Sequence, residues 1–507
     1  MITDEELTRR MSDISDSVSR NLSHFSAEQD KTLDKIAKIV RDATRKQLQS
    51  CDPRVLVTCI LRILLQYEDL LHMAGLCEWK RRRKFKTAQH CYYVLLKNYL
   101  PERSREVVQT IVTAIHEDRL WKFETFCFGV VCSLLDIGLV NGGLITHAVW
   151  DVLTSPNIGV EEARGIARIL CEFLNMYDWP ATLDTVAAVE RMLKLFHASI
   201  IARSTTTDSL TPLVSLKKSL EVCLRNTLKH LSNEQMLVIV QHMCSWTVAA
   251  GATDEIILEF GSTLEYAAYT HQTGLYEQTL TPIIFPLLMQ MVGSSNRLTN
   301  LLGNRVLQYL LDRKDNRAIF DMPRIFFEHT RFNLHIVSCR KEDVLFFKLH
   351  RELLHDSLLK SLVNHSNSRM NLEMTYCTIC LIAVEVPCGF MAAALVCLAM
   401  NLQEIILQRY DSHLEVACHV HAMIISIMSL LCWIHKAKVF YNYVNRIMME
   451  RAQWAPHLNP PIQSQYNFAV HHILWNKPEL FFVDWEARYG LWKCFRLSKQ
   501  DATSLIT

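Results

Sequence analysis

The chain has 507 residues, 50% of them hydrophobic, and a formal charge of +2 at pH 7. Single cores stop growing at roughly 250–300 residues, so one compact core is excluded and several domains or an extended array are required. The near-neutral balance excludes a bulk pull toward nucleic acid and leaves electrostatic targeting to local clusters.

Only 14 Gly and 13 Pro punctuate the chain. Between them apolar residues recur at i, i+3, i+4 and i+7, the period of buried helices, which predicts an all-α chain. The 17 cysteines are an odd number scattered along helical faces, and no apolar secretion segment opens the sequence. They predict reduced, buried thiols of a cytosolic protein.

After the polar opening MITDEELTRRMSDISDS, Asp52-Pro53 starts a helix whose stripe is Leu56, Ile60, Ile63, Leu64, Tyr67 and Leu71. Trp79–Lys86 (WKRRRKFK) follows, with Trp79 and Phe85 framing Lys80, Arg81, Arg82, Arg83 and Lys84, and Lys86 closing the run. Each Lys or Arg near an anionic leaflet contributes roughly 1 kcal/mol, and the two aromatic rings suit headgroup depth. A solvated loop between helices and a nuclear-import tract are the other readings of these residues.

Breaks at Thr154–Asn157, Tyr177–Pro180 and Gly293–Asn296 separate further helices, and Ser232 with Gln235 forms a capping box. The pattern predicts helical hairpins of roughly 40 residues, as in armadillo or HEAT repeats, stacked into a solenoid. Expected divisions are N-terminal repeats over 1–202, a polar linker at 203–211 (RSTTTDSLT), C-terminal repeats over 212–461, and an aromatic-rich cap and tail over 462–507. At Val306–Ala318 (VLQYLLDRKDNRA) an apolar stripe stops abruptly, which predicts charged side chains displayed at a turn.

Val386–Met400 and Ala422–Ile434 are strongly apolar, but at about 13–15 residues each is shorter than the roughly 20 that cross a bilayer. They predict the middle layers of a solenoid, covered on both sides. Cys377 and Cys380 form a CxxC without a second pair, and read as core thiols. Cys418, His419 and His421, with His413 and His435 nearby, hold a denser ligand pool, yet helical spacing turns His419 and His421 apart. His471 and His472 are adjacent on a helix and do not converge. No metal or cofactor is expected. The last segment crowds Tyr466, Phe468, Trp475, Phe481, Phe482, Trp485, Tyr489, Trp492 and Phe495 together, as the seal of a solenoid end or an anchor for a partner helix. Nucleophile elbow, P-loop, H-E-x-x-H and dinucleotide fingerprints are all missing, so no enzyme is expected, a helical lipid hydrolase included.

The run Asp312, Arg313, Asp315, Asn316, Arg317, Ala318 resembles the D-R-x-D-N-R-A helix end of the Rolling blackout family. Asn371–Val386 is similar to that family's N-Y-E-x-L-Y helix through Asn371, Glu373, Tyr376, Leu381, Ile382 and Glu385, and Leu395–Gln403 to its L-x-R-L-x-x-x-L-Q segment. Arg451 with Ala455-Pro456 resembles its R-x-x-x-A-P, and Thr32–Gln47 a helix near its N-terminus. The resemblance implies a non-catalytic rod of armadillo and HEAT-like hairpins, peripheral at the inner face of the plasma membrane, that recruits or positions the type III alpha phosphatidylinositol 4-kinase complex. It implies kinase-complex subunits and an anionic lipid surface as partners, and no nucleic acid. The family opens on palmitoylated cysteines, whereas the first cysteine here is Cys51, and the chain is shorter than the family norm. Attachment is therefore expected to fall to WKRRRKFK and to be reversible and salt-sensitive. The alternative is a soluble cytosolic adaptor that binds another protein without the membrane.

Overall fold

The computed structural model describes residues 3–18, 22–73, 79–138, 140–155, 158–176, 179–205, 212–408, 414–463 and 477–504. Every regular element among them is helical. The chain is an armadillo-type helical-repeat protein, divided into two compact units, Met1–Ser232 and Asn233–Thr507.

The first unit holds α1 (Asp4–Val18), α2 (Leu22–Asp42), α3 (Arg45–Ser50), α4 (Pro53–Met73), α5 (Trp79–Glu117), α6 (Glu124–Asp136), α7 (Gly142–Leu153), α8 (Val160–Met176), α9 (Leu183–Thr205) and α10 (Pro212–Leu228). As expected, Pro53 opens α4, and Asp52 Oδ1 accepts a hydrogen bond from Arg54 N at 2.9 Å. The predicted stripe is buried from Leu56 to Tyr67 and packs along α5. Pro101 lacks the N–H that would continue the ladder of α5, and the helix kinks at Arg103 (φ −127°, ψ 34°). The Arg103 side chain then bonds the Cys51 carbonyl at 2.7 Å, tying the kink to the end of α3. Beyond it the helices alternate in two layers, α5, α7 and α9 in one and α6, α8 and α10 in the other. Of the polar stretch 203–211, Arg203–Thr205 continue α9 and 206–211 lie outside the described residues.

The second unit holds α11 (Asn233–Val248), α12 (Asp254–Thr270), α13 (Tyr276–Thr279), α14 (Ile284–Val292), α15 (Arg297–Leu311), α16 (Lys341–Leu349), α17 (Arg351–Asn364), α18 (Arg369–Glu385), α19 (Gly389–Leu407), α20 (Leu414–His435), α21 (Lys438–Trp454) and α22 (Asp484–Ser504). The layers are α12, α15, α18 and α20 against α11, α14, α17, α19 and α22. Successive helices pair as α11 with α12, α14 with α15, α17 with α18, and α19 with α20, each pair one repeat. The repeats are uneven, because residues 312–340 run from α15 to α16 without an α-helix. This insertion is strapped to α20: Ser426 Oγ accepts from Arg324 N at 3.0 Å, and Ser429 Oγ from Phe326 N at 3.1 Å.

α19 and α20 are 19 and 22 residues long, longer than the apolar runs inside them, so by length and composition both would suit a bilayer. Of their apolar windows, 56% and 89% respectively are buried inside the protein, so α20 is covered as an inner solenoid layer and α19 on little more than one side.

Candidate interaction surfaces

The basic tract forms the first turns of α5, so the reading of it as a loop between helices is corrected to helix. The side chains of Trp79, Lys80 and Arg81 lie outside the described residues; Arg82, Arg83 and Lys86 are exposed. Lys84 forms an ion pair with Asp30, which Tyr67 also reaches. Burial pushes the Asp30 carboxyl up, but these two partners outweigh it and hold it below the usual range. Phe85 is half-buried and turns toward a cleft of about 290 Å³ shared with Leu64, Tyr92 and Phe126. Exposed cations thus crowd a helix N-terminus that carries no acidic residue in its first turn. The helix dipole disfavours a cation in the first turn, which bears on Arg82; Arg83 and Lys86 lie past it, and together the three charges suit the surface to an anion.

In the second unit Asp312, Arg313, Asn316 and Arg317 of DRKDNR turn inward, and only Lys314 and Asp315 are displayed as expected. Asp312 ends α15 and organises its own loop: Oδ1 accepts from Lys314 N at 3.2 Å and Asn316 N at 2.9 Å, and Oδ2 from Arg317 N at 2.8 Å. The turn needs a left-handed residue, and Asp315 supplies it at φ 57°. Buried Asn316 exchanges two 2.9 Å bonds with the backbone of His335, closing the insertion on itself. The guanidinium of Arg317 lies 4.1 Å from the Tyr309 ring centre. Only Lys314, Asp315 and Ala318 of this run are exposed.

Arg313 is the hinge of this interior. Its guanidinium stands 3.8 Å from the centre of the Tyr276 ring, and Nη1 is 2.8 Å from Asp343 Oδ2, with side-chain exposures of 7% and 2%. That pair is close but poorly aligned, so the guanidinium nitrogens form no well-directed hydrogen bond. Asp343 Oδ1 accepts from Tyr276 N at 3.0 Å, and Tyr276 Oη donates to Leu311 O at 2.9 Å. Glu385, at the end of α18, accepts from Arg313 N at 3.2 Å and lies 3.3 Å from Tyr276 Oη. Burial pushes its carboxyl up to about 7, against the pull of the Arg313 backbone bond. Four distant segments therefore meet through one cation, two carboxyls and one phenol.

A second polar system was not anticipated. Asn300, Asn304 and Gln308, at i, i+4 and i+8 of α15, are buried and face α17 and α18. Asn300 Nδ2 donates to Val292 O at 2.6 Å and Ser361 Oγ at 2.7 Å. Asn371 Nδ2 donates to Asn300 Oδ1 at 2.7 Å, and Thr378 Oγ1 to Asn304 Oδ1 at 2.8 Å. Gln308 Nε2 bonds Met374 O at 2.8 Å. The signal in the sequence was the four-residue spacing of amide side chains within an otherwise apolar helix. Such a ladder specifies helix rotation and register within a turn, because a shift of one or two residues would turn the amides away from their partners.

Other resemblance positions are structural too. Tyr376 is buried and its hydroxyl meets Ser426 Oγ at 2.7 Å, beside the strap, while Glu373 pairs with Arg369 at 2.7 Å. Arg451 is fully buried: Nε donates to Leu480 O at 2.7 Å, and Nη1 to Leu458 O at 3.0 Å and His421 O at 3.1 Å. Burial lowers its pKa to about 9, so it stays a cation at neutral pH, held by carbonyl dipoles. Pro456 opens the 3-10 turn Pro456–Leu458, whose Leu458 clusters with Ala455, Cys418, Leu480 and Phe481.

Cys377 and Cys380 are core residues of α18, and burial raises both thiols. Burial likewise keeps His421 neutral and pushes His435 down to about 4. His413, Tyr466, Phe468, His471, His472 and Trp475 lie outside the described residues. The remaining C-terminal aromatics divide: Phe481 and Phe482 are buried, whereas Trp485, Tyr489 and Trp492 face outward, so only part of the crowd seals the core.

Residues 72–471 match the family described as EFR3, armadillo repeat. Among curated proteins, the chain is 24% identical to Protein EFR3 homolog A of Xenopus laevis over 198 residues, 39% of this chain and 24% of that protein. It is 23% identical to the Mus musculus homolog A over 196 residues, 38% and 23% of the two chains, and 22% identical to Homo sapiens homolog B over 157 residues, 31% and 19%. The matched region spans about a quarter of the length of these relatives.

Proposed function

Since the chain belongs to the EFR3 family of armadillo-repeat proteins, the family named Rolling blackout above, we propose that it is a non-catalytic scaffold at the cytoplasmic face of the plasma membrane. There it helps recruit or position a phosphatidylinositol 4-kinase complex. The observation that carries the membrane part is the cluster of exposed Arg82, Arg83 and Lys86 within the first two turns of α5, where the first turn holds no acidic residue. Attraction of these three charges to an anionic leaflet supports the reading. The kinase part is supported by the family.

The test is co-sedimentation of the full chain with phosphatidylcholine vesicles containing phosphatidylserine, with R82Q/R83Q/K86Q as the variant. Binding should fall by about two orders of magnitude, at about 1 kcal/mol per charge, and should weaken with salt. Binding that is unchanged in the variant would remove the tract from the account. Proximity labelling in cells should recover phosphatidylinositol 4-kinase subunits; recovery of other proteins alone, from a cytosolic pool, would favour the soluble adaptor.

A further inference from the structure

α22 carries a feature that neither the basic tract nor the repeat core explains. Trp485, Tyr489 and Trp492 are 65%, 47% and 52% exposed and form one stripe, with ring centres 6.3 and 5.9 Å apart. The core is closed by the other side of the helix: Ala487 and Leu491 are buried, and Gly490 lies so near α21 that an added Cβ would meet Phe440 at 3.1 Å. Cations border the stripe, with Lys493 Nζ 5.9 Å from the Tyr489 ring centre and the Arg496 guanidinium 5.0 Å from that of Trp492.

Beside the stripe, α22 and α19 enclose a groove of about 540 Å³. Gly389, Ala393 and Val396 of α19 and Leu491 and Phe495 of α22 line it, with Trp492, Arg488 and Arg496 completing the wall. No carboxylate is among these lining residues; the nearby Asp484 pairs with Arg488 at 2.9 Å. An apolar trough with two arginines and interfacial aromatics complements an anionic amphiphile.

We propose that this face is a second bilayer contact, separate from the α5 tract, in which the groove seats an acyl chain of an anionic phospholipid and Arg488 and Arg496 meet its phosphate. Trp485, Tyr489 and Trp492 lie at the headgroup level of the surrounding leaflet. The occupant is a membrane lipid rather than a partner helix, because the charge of the groove is of one sign and the aromatic rings are bordered by cations.

The test uses the full chain and vesicles of four parts phosphatidylcholine to one part phosphatidylserine. R488Q/R496Q should weaken partitioning about tenfold, since Arg488 is partly engaged by Asp484. W485S/W492S should also weaken it and should reduce the quenching of tryptophan fluorescence by brominated acyl chains relative to the unaltered chain; far-ultraviolet circular dichroism verifies the fold of each variant. A393L, which fills the groove and leaves every charge in place, should reduce the preference for the anionic vesicles. If all three variants bind like the unaltered chain while R82Q/R83Q/K86Q does not, this face is not a lipid contact and the α5 reading stands. If the α22 variants lose binding and R82Q/R83Q/K86Q keeps it, the α5 reading fails and this one stands. Unaltered vesicle binding by the α22 variants, with loss of a captured protein, would make the stripe a protein-docking face and overturn the lipid assignment.

Discussion

The two units solve the same packing problem with different chemistry. In Met1–Ser232 the helices are held mainly by apolar stripes; the Arg62–Asp118 pair, 12% and 10% exposed, is largely buried, and others such as Arg191–Asp151 lie nearer the surface. In Asn233–Thr507 polar groups go inside: the Asn300, Asn304 and Gln308 ladder, the Arg313–Asp343 pair, and Arg451 among carbonyls. Apolar stripes tolerate exchange of one aliphatic residue for another, and small changes of register. A buried amide or ion has one acceptable geometry and few acceptable residue types. Most of the short motifs that carry the family resemblance, from Asp312 to Pro456, fall in the second unit, while the family match over residues 72–471 runs through both.

Substitution of matched residues in the two units should expose this contrast most sharply. Arg313→Ala leaves Asp343 charged and 2% exposed; the expected cost is about 3–5 kcal/mol, read as lost hydrogen-exchange protection in α15, α16 and α18. Arg191→Ala removes a pair whose side chains are 30% and 67% exposed. It should cost less than about 0.5 kcal/mol, and an equal loss in both variants would erase the distinction.

The next effect in size is pH-dependent and belongs to the second unit. Glu385 has a carboxyl pKa raised from 4.5 to about 7 in the folded protein, so the folded state holds its proton more tightly than the unfolded state. Its contribution to stability is therefore present below about pH 4.5, declines as pH rises to about 7, and then stays constant, a total on the order of 3 kcal/mol. Glu385→Gln should remove that decline. Urea titrations from pH 5 to pH 8 check it, and parallel pH profiles for the two proteins would refute it.

Glycine substitutions should have opposite signs in the two units. At Gly303 an added Cβ would sit 2.6 Å from Met291 Cβ, where α15 crosses α14, so Gly303→Ala should cost about 1–3 kcal/mol. Gly129 lies inside α6 with nothing within 4 Å of the added atom, so Gly129→Ala should stabilise by about 0.5–1 kcal/mol. Thermal melts of the two variants moving in the same direction would contradict this. Asn300→Ala, which removes one partner each from the Val292 carbonyl, Ser361 and Asn371, should cost about 1–3 kcal/mol by the same assay.

Much of this was legible in advance because the relevant signals are local. The start of α4 follows from Asp52-Pro53, and the burial of α20 from an apolar run too broad for one exposed face. The helical state of the basic tract was not, since Arg and Lys tolerate loop and helix alike. Nor was the inward turn of Arg313. A charged residue after an apolar stripe reads as exposed unless its partners are known, and Asp343 and Glu385 lie far along the chain. The outward stripe of α22 was seen as a crowd of aromatics, and only the packing of Gly490 against Phe440 sorted its faces.

By itself the sequence determined an all-helical repeat chain and its family, because helical periodicity, caps and a short polar motif are written over a few neighbouring residues. Tertiary structure alone decided which polar side chains are frame and which are surface. That choice depends on partners tens of residues away, and on whether water or protein fills the space around each charge.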